Sequence, residues 1–205
     1  MMLLTILGRE AQETEYVLGD RRYRAALAPL AIVRLRGGFS HVVAFCTREA
    51  TDKTLPVLRE ELPQGIRLEP RSISLPTSGA EIGPFLEGVA KAIEGTEGSV
   101  VLDVTHGPRH LPLLAFIVAV YLSALGRGGV ESVYYAYLPR DGPSLIIDLK
   151  PLLELATLAF AAGELRRTGS TAALVERLKR DASKEAQSLG SRLRGMWPGG
   201  NTLGS

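Results

Sequence analysis

One short stretch of the chain combines anion-binding side chains with a turn that exposes backbone N–H groups. Residues 103–109 read Asp-Val-Thr-His-Gly-Pro-Arg, between the apolar run Ser99 to Leu102 and the long apolar stretch Leu111 to Leu125. This pattern predicts a strand, a tight polar turn and a helix that begins near Pro108. The first N–H groups of a helix have no partner within it and carry partial positive charge, so a phosphate is stabilised there.

The side chains of the turn extend this predicted anion site. Gly107 lets the backbone approach a ligand closely, and Thr105 and His106 add hydrogen-bond donors. Arg109 adds a guanidinium that can bind a phosphate through two parallel hydrogen bonds. The set of groups suits a phosphodiester better than an acyl group.

The composition limits the kind of protein that carries this turn. With 205 residues, of which 45% are hydrophobic, the chain can bury one good core. Its single cysteine, Cys46, excludes a disulfide framework, lies in an apolar run and is interpreted as a core thiol in a cytosolic protein. We find no signal peptide, and Leu111 to Leu125 is shorter than the roughly 20 residues of a membrane span, so we expect a buried helix there.

The net charge gives little information about the ligand. The formal charge of +2 and the pI near 8.8 come from an excess of Lys and Arg after residue 163, whereas residues 1–162 are slightly acidic. An anion site in the main body must therefore be local and built from a few arginines and backbone donors.

Strands and helix-length segments alternate along the chain, which predicts an α/β fold with a doubly wound, mostly parallel sheet. The predicted strands are Leu3 to Leu7, His41 to Thr47, Ile66 to Leu75, residues 99–104, Val130 to Leu138 and Ser144 to Leu149, with a hairpin over Tyr16 to Tyr23. The predicted helices are Ala25 to Leu35, Lys53 to Leu62, Glu81 to Ile93, the segment after the 103–109 turn, residues 151–166 and an amphipathic segment over 171–194.

In such a fold, the loops that follow the strands meet at the carboxyl edge of the sheet. We expect four polar loops to form one crevice there: Gly8-Arg9, Thr47-Arg48, Pro76 to Gly79 and Thr105 to Arg109. The dinucleotide fingerprint G-x-G-x-x-G does not follow the first strand, and the chain contains no P-loop. NAD binding and simple NTPase activity are therefore not predicted, and no cofactor or metal is expected.

The motif Asp103-x-Thr105-His106-Gly107 resembles the DxTHG motif of a group of CRISPR-associated proteins. Their N-terminal module is a CARF domain, a Rossmann-like sensor of cyclic oligoadenylates. The resemblance extends over roughly residues 1–165 and is most specific over 99–121. It implies a homodimer in which a cyclic tetra- or hexa-adenylate shares the two-fold axis.

The resemblance also implies roles for individual residues. The ligand-binding positions that it carries over are Gly8, Arg9, Thr47, Arg48, Thr105, His106, Gly107 and Arg109 for phosphates and riboses, and the loop with Thr77, Ser78 and Gly79 for adenine. Asp103 is expected to brace the turn. Tyr134 and Tyr135 alternate across a strand, so one is expected in the core and the other is free to reach a dimer interface.

In the DxTHG group the sensor is usually followed by a HEPN ribonuclease domain with an Arg-x4-6-His motif. This chain has no histidine after His110, and the string Arg36 to His41 that fits the motif is interpreted as coincidence. We predict a sensor domain over residues 1–165, then a helical extension and flexible tail over 166–205. A downstream effector is expected either beyond this tail or on a separate chain.

Two functions from different classes remain open from the sequence. The favoured one is a cytoplasmic sensor without membrane contact, in which binding controls an effector allosterically. The other is a metal-independent ring nuclease, in which a ribose 2′-hydroxyl attacks the neighbouring phosphate with help from His106, Arg109, Arg48 and Arg9. A regulator that binds a linear nucleotide is a third, remote interpretation. The spacing of His106 and His110 fits a zinc pair, but no third ligand is evident.

Overall fold

The computed structural model describes residues 1–137, 139 and 141–168, in two units that divide between Leu149 and Lys150. The strands of the first unit are β1 (Met2–Leu7), β2 (Thr14–Leu18), β3 (Arg21–Ala25), β4 (His41–Cys46), β5 (Arg67–Ser72), β6 (Val100–Asp103), β7 (Val130–Tyr137) and β8 (Ser144–Asp148). Its helices are α1 (Ala28–Arg36), α2 (Arg48–Lys53), α3 (Leu55–Glu61), α4 (Gly79–Glu94) and α5 (His110–Ala124).

The described strands form one sheet in the order β3-β2-β8-β7-β6-β1-β4-β5. The pairs β7–β6, β6–β1, β1–β4, β4–β5 and β2–β8 are parallel, whereas the hairpin pair β2–β3 and the pair β7–β8 are antiparallel. This arrangement confirms the predicted α/β class with a doubly wound, mostly parallel sheet.

The centre of the sheet is buried on both faces. All six residues of β1 are buried, because β4 and β6 flank it and helices cover the sheet. On one face, Leu3 and Leu7 belong to the same buried cluster as Leu30 of α1. On the other face, Phe45 of β4 meets Phe85 of α4 edge to face, with the ring centroids 5.8 Å apart.

Several element boundaries differ from the sequence predictions. The helix after the 103–109 turn begins at His110 rather than near Pro108, whose carbonyl accepts a hydrogen bond from Leu111 N–H at 2.8 Å. The predicted helix over Lys53 to Leu62 is preceded by α2, which the sequence analysis missed. Strand β5 ends at Ser72, although the apolar pattern predicted a strand to Leu75.

The second unit contributes helix α6 (Lys150–Thr168), which contains the predicted helix over 151–166. The predicted amphipathic helix over 171–194 and the predicted flexible tail lie outside the described residues, so the proposed division at residue 165 stays a prediction. Among the described helices, none is long and apolar enough to cross a membrane.

Candidate functional site

A cleft with a volume of about 880 Å³ opens at the carboxyl edge of the sheet. It is formed by the segments that follow β1, β4, β5 and β6, so residues of three of the four predicted loops line it, whereas Ser72 to Leu75 take the place predicted for Pro76 to Gly79. Its lining residues are Leu7, Gly8, Arg9, Glu10, Thr47, Arg48, Glu49, Ser72, Ile73, Ser74, Leu75, Thr105, His106, Gly107 and Pro108.

The strand order explains why a cleft forms here. From β1 the chain first runs to the hairpin of β2 and β3 at the far end of the sheet, then returns through α1 to β4 and β5 on the other side of β1, and later crosses back to β6 and β7. The segments after β4 and β6, the two strands that flank β1, therefore lead in opposite directions, to β5 and to β7. Such a topological switch point leaves a crevice, which is where open α/β sheets bind their ligands.

Two glycines bring the backbones of these loops into contact. A Cβ atom on Gly8 would lie 3.3 Å from the Gly107 nitrogen, which is tighter than ordinary packing. Gly107 has φ +97°, and a Cβ atom there would lie 2.7 Å from Cγ2 of the buried residue Ile6. Because any side chain at Gly107 would collide with β1, only glycine fits this position without displacing the turn.

Asp103 braces the turn, as the sequence analysis expected. Its carboxylate is fully buried and accepts hydrogen bonds from the Thr5 hydroxyl at 2.8 Å and from Thr105 N–H at 3.0 Å. The Thr105 hydroxyl in turn accepts a hydrogen bond from Ala136 N–H on β7 at 2.9 Å. The start of the turn is therefore fixed to β1 and β7, and the Thr105 hydroxyl keeps its own proton for another acceptor.

His106 has a structural partner as well as a place in the cleft wall. Its Nε2 accepts a hydrogen bond from the backbone N–H of Ala28, the first residue of α1, at 3.3 Å. Burial lowers the pKa of the imidazole, and the charge of Asp103 partly offsets this shift. His106 is therefore neutral at pH 7, and Nε2 acts as an acceptor that caps a helix rather than as a cation for a phosphate.

The loops after β1 and β4 are held together through Thr54. Its hydroxyl donates to the carbonyl of Gly8 at 2.7 Å, from the residue that separates α2 and α3. Thr47 caps α2, since its side-chain oxygen accepts from Ala50 N–H at 3.4 Å. These contacts place Arg48, on the first position of α2, beside the loop that carries Arg9.

The charged side chains of the cleft come in both signs. Arg9 and Arg48 are exposed, and Arg9 forms an ion pair with Glu10 at 3.3 Å in which both side chains are mostly solvent-accessible. Glu49 lies next to Arg48 in the same lining. An anionic ligand would therefore compete with Glu10 for the Arg9 guanidinium, at little cost because exposed ion pairs are weak.

Four of the predicted site residues do not line this cleft: Thr77, Ser78, Gly79 and Arg109. The N–H and hydroxyl of Thr77 both donate to Glu81, at 2.8 and 3.1 Å, and their hydrogen bonds lower the pKa of that carboxyl. The segment Ser72 to Leu75 lines the cleft instead, because β5 ends earlier than predicted. The early end of β5 could have been predicted from Thr47, a residue type that favours the N-terminal cap of a helix. A helix that begins there ends β4 at Cys46, and β5 pairs with β4.

Other predicted roles lie away from the cleft. Arg36 donates to the Tyr134 hydroxyl at 2.6 Å and pairs with Glu131, and His41 Nε2 lies 3.2 Å from a carboxylate oxygen of Glu69. Both side chains of the Arg36 to His41 string thus have contacts within the fold, and neither residue lines the cleft. Tyr134 is buried and Tyr135 is partly exposed, as their alternation predicted.

Cys46 is buried, which confirms its interpretation as a core thiol. Burial raises the pKa of this thiol to about 11, and the positive charge of Arg59 opposes the shift only in part. Within the described part of the chain, no group of three or more His, Cys, Asp or Glu side chains could hold a metal ion.

No protein-family model matches the chain, and no curated protein matches it significantly. Among solved structures, the chain is similar to Csm6 from Enterococcus italicus, which was solved with cyclic hexa-2′-fluoro-hexa-dAMP, with a TM-score of 0.59 and 12% identity. The two share a fold. The match covers 95% of this chain and 53% of Csm6.

A second solved structure is Can2 from Sulfobacillus thermosulfidooxidans in complex with cyclic tetra-adenylate. It matches with a TM-score of 0.42 and 12% identity, over 93% of this chain and 56% of Can2. The chain thus spans about half the length of each of these two solved proteins.

Proposed function

We propose that this protein is a sensor that binds a cyclic oligoadenylate, a tetra- or hexa-adenylate, and controls an effector in type III CRISPR defence. The observation that carries the proposal is the cleft at the carboxyl edge of β1 and its neighbours β4 and β6. It unites two arginines with the Thr105 to Pro108 turn, in a chain whose fold matches that of Csm6, a protein solved with a cyclic hexanucleotide. The DxTHG resemblance of the sequence points to the same class of ligand.

The groups in the cleft suit a phosphodiester ring. Arg48 and Arg9 supply guanidinium groups for phosphate oxygens, and Thr105 has a hydroxyl proton to donate to one. Helix α5 begins at His110, directly after the turn, so its first backbone N–H groups add partial positive charge near Gly107. In this proposal His106 shapes the wall and does not carry charge.

The proposed sensor is a homodimer, and α5 supplies a surface for it. Leu113, Ile117 and Tyr121 lie at four-residue intervals on one side of α5, and each is more than half exposed. A stripe of large apolar side chains on an exposed helix face favours contact with a second copy of the same stripe. Since α5 begins directly after the turn at 105–109, pairing of two such helices would bring two clefts near the two-fold axis that a cyclic ligand shares.

A ring nuclease activity at the same cleft is the second candidate. Cleavage would need a ribose 2′-hydroxyl aligned with its neighbouring phosphate, while Arg9 or Arg48 stabilises the developing charge. The hydrogen bond from Ala28 N–H occupies His106 Nε2, so that nitrogen is not the atom that moves a proton unless α1 shifts. The structure therefore favours binding over cleavage assisted by His106.

The first experiment is incubation of the purified chain with cyclic tetra-adenylate and cyclic hexa-adenylate, without added metal. Calorimetry measures binding and chromatography measures the fate of the ligand. We expect tight binding of one intact ring per dimer. Conversion to linear products would show a ring nuclease instead, and absence of binding to both rings would overturn the proposal.

Arginine variants test the place of binding. Arg48→Ala should weaken binding about ten- to hundredfold, which is the usual effect of losing a hydrogen bond to a charged group. Arg67→Ala is the matched control, because Arg67 is an exposed arginine at the start of β5, at the opposite edge of the sheet. Equal effects of the two substitutions would refute the assignment of phosphates to this cleft.

A substitution in the exposed stripe of α5 tests the proposed dimer. Ile117→Glu places a charge in the middle of the α5 stripe and should convert the protein to a monomer in sedimentation analysis, with loss of ring binding. A wild-type protein that is monomeric with and without ligand would refute the dimeric arrangement.

A further inference from the structure

Thr54 separates α2 from α3, is fully buried and does not line the cleft. Its hydroxyl lies within hydrogen-bond distance of two carbonyl oxygens, that of Gly8 at 2.7 Å and that of Ala50 at 3.1 Å. A hydroxyl has a single proton to donate, and the Ala50 carbonyl already accepts a hydrogen bond from Thr54 N–H at 3.0 Å. The hydroxyl proton is therefore available for Gly8, which is also the shorter contact.

The loop after β1, residues 8–11, has few other attachments. Within the described part of the chain, the bond from Thr54 is the only hydrogen bond to the backbone of this loop. Gly8 also lies against the backbone of Gly107, in a contact without a hydrogen bond. The side chain of Arg9 adds no firm attachment, because its ion pair is exposed and such pairs are weak. The place of the Arg9 guanidinium thus depends on how firmly Gly8 is held.

The hydroxyl belongs to the helix that carries the second arginine of the cleft. Arg48 is the first residue of α2 and Thr54 is its C-terminal cap, so the backbone of one helix fixes the two residues relative to each other. The hydrogen bond to Gly8 therefore joins the backbone beside Arg9 to the helix that carries Arg48. Binding groups that already have the spacing of their ligand bind it more tightly, because less order has to be imposed on binding.

We infer that Thr54 is a positioning residue of the proposed ligand site, which sets the spacing between the guanidinium groups of Arg9 and Arg48 without touching the ligand. This inference rests on the proposed function. The side chain of valine has the shape of threonine, with a methyl group in place of the hydroxyl. Because a carbon atom approaches a carbonyl oxygen only to about 3.3 Å, valine at position 54 would remove the bond and also push the Gly8 carbonyl away by about 0.6 Å.

Three substitutions at Thr54 separate the hydroxyl from the volume of the side chain. Thr54→Ser keeps the hydroxyl and should bind the ring within about twofold of the wild-type affinity. Thr54→Ala loses the hydrogen bond and should bind about three- to tenfold more weakly, and Thr54→Val, which also displaces the loop, should bind more weakly still. Calorimetry on the full chain measures these affinities, with whichever of cyclic tetra-adenylate and cyclic hexa-adenylate the wild-type protein binds.

Thr96→Val is the matched control. The Thr96 hydroxyl also donates to the carbonyl four residues earlier, that of Ala92 at 2.8 Å, but it lies between α4 and β6, at the opposite edge of the sheet. This variant loses a comparable hydrogen bond and should keep the wild-type affinity for the ring. Urea unfolding of each variant shows that it is folded under the conditions of the binding assay.

A double variant distinguishes positioning of Arg9 from general stabilisation of the fold. If Thr54 acts through Arg9, Thr54→Val should weaken binding less than about twofold in a protein that already carries Arg9→Ala. Should Thr54→Val not fold, Thr54→Ala takes its place in this comparison. The same loss of affinity in both backgrounds, or wild-type affinity of Thr54→Ala and Thr54→Val, would overturn the inference and leave the sensor intact. Failure of every ring to bind the wild-type protein removes the proposed function itself, and the role of Thr54 with it.

Discussion

Substitution of Gly107 by alanine tests whether the turn is held against β1 by backbone contact. The new Cβ would lie 2.7 Å from Ile6 Cγ2, and alanine would also have to adopt φ +97°. The left-handed backbone costs about 1–2 kcal/mol, and an extra methyl group in a packed site costs about 1–3 kcal/mol. Gly107→Ala should therefore lower the free energy of unfolding in urea by about 2–5 kcal/mol, the sum of these two effects.

Gly142→Ala separates these two contributions. Gly142 has φ +94°, but a Cβ atom there meets nothing within 4 Å, so its cost should be the backbone component alone, about 1–2 kcal/mol. Adding Ile6→Ala removes the methyl group that collides, so the double variant with Gly107→Ala should be more stable than the sum of the single effects predicts. Equal losses for Gly107→Ala and Gly142→Ala would refute the close contact between turn and strand.

Three further predictions concern buried titratable groups. His106 has a lowered pKa in the folded chain, so the unfolded chain takes up its proton first as the pH falls through about 6.5. Urea unfolding should show stability lost below that pH, less so in His106→Gln, while His110→Gln at an exposed position keeps the wild-type profile. Cys46, with a pKa of about 11, should react with a thiol reagent at pH 8 much more slowly in the folded than in the unfolded protein. Asp103→Asn should cost about 2–3 kcal/mol in urea unfolding, because an amide oxygen cannot serve both buried donors as well as a carboxylate; a loss below 1 kcal/mol would contradict that account.

The sequence predicted the sheet well because its central strands are short apolar runs between polar loops. β1 and β4 are buried along nearly their whole length, so neither shows the alternation that would confuse a strand with a surface element. The hairpin between β2 and β3 was equally readable from Gly19-Asp20, since Gly19 has φ +60° in the turn. These are local signals, and they were enough to predict which loops lie at the carboxyl edge of the sheet.

The details of the site depend on contacts between distant residues, which a single sequence does not encode visibly. Helix α2 is six residues long and polar, so it gave no periodic signal, and its cap at Thr47 ends β4 and therefore also β5. The hydrogen bond from Ala28 to His106 joins residues 78 positions apart. The motif lies in a turn that lines the cleft, but it gave no indication that the histidine caps another helix.

The four motif residues act mainly on the protein itself. Asp103 ties the turn to β1, Thr105 ties it to β7, His106 ties it to the start of α1, and Gly107 lies against β1. A ligand that displaces this turn must therefore disturb contacts with β1, β7 and α1 at once, because each contact is made to an ordered part of the fold and not to an exposed, mobile segment. The sensor proposed above requires such coupling: its affinity for a ligand would depend on the position of α1 and β7, and by reciprocity the ligand would bias their position. A site that only binds phosphate would need the guanidinium groups of Arg9 and Arg48, but it would not need these contacts between the turn and three other elements.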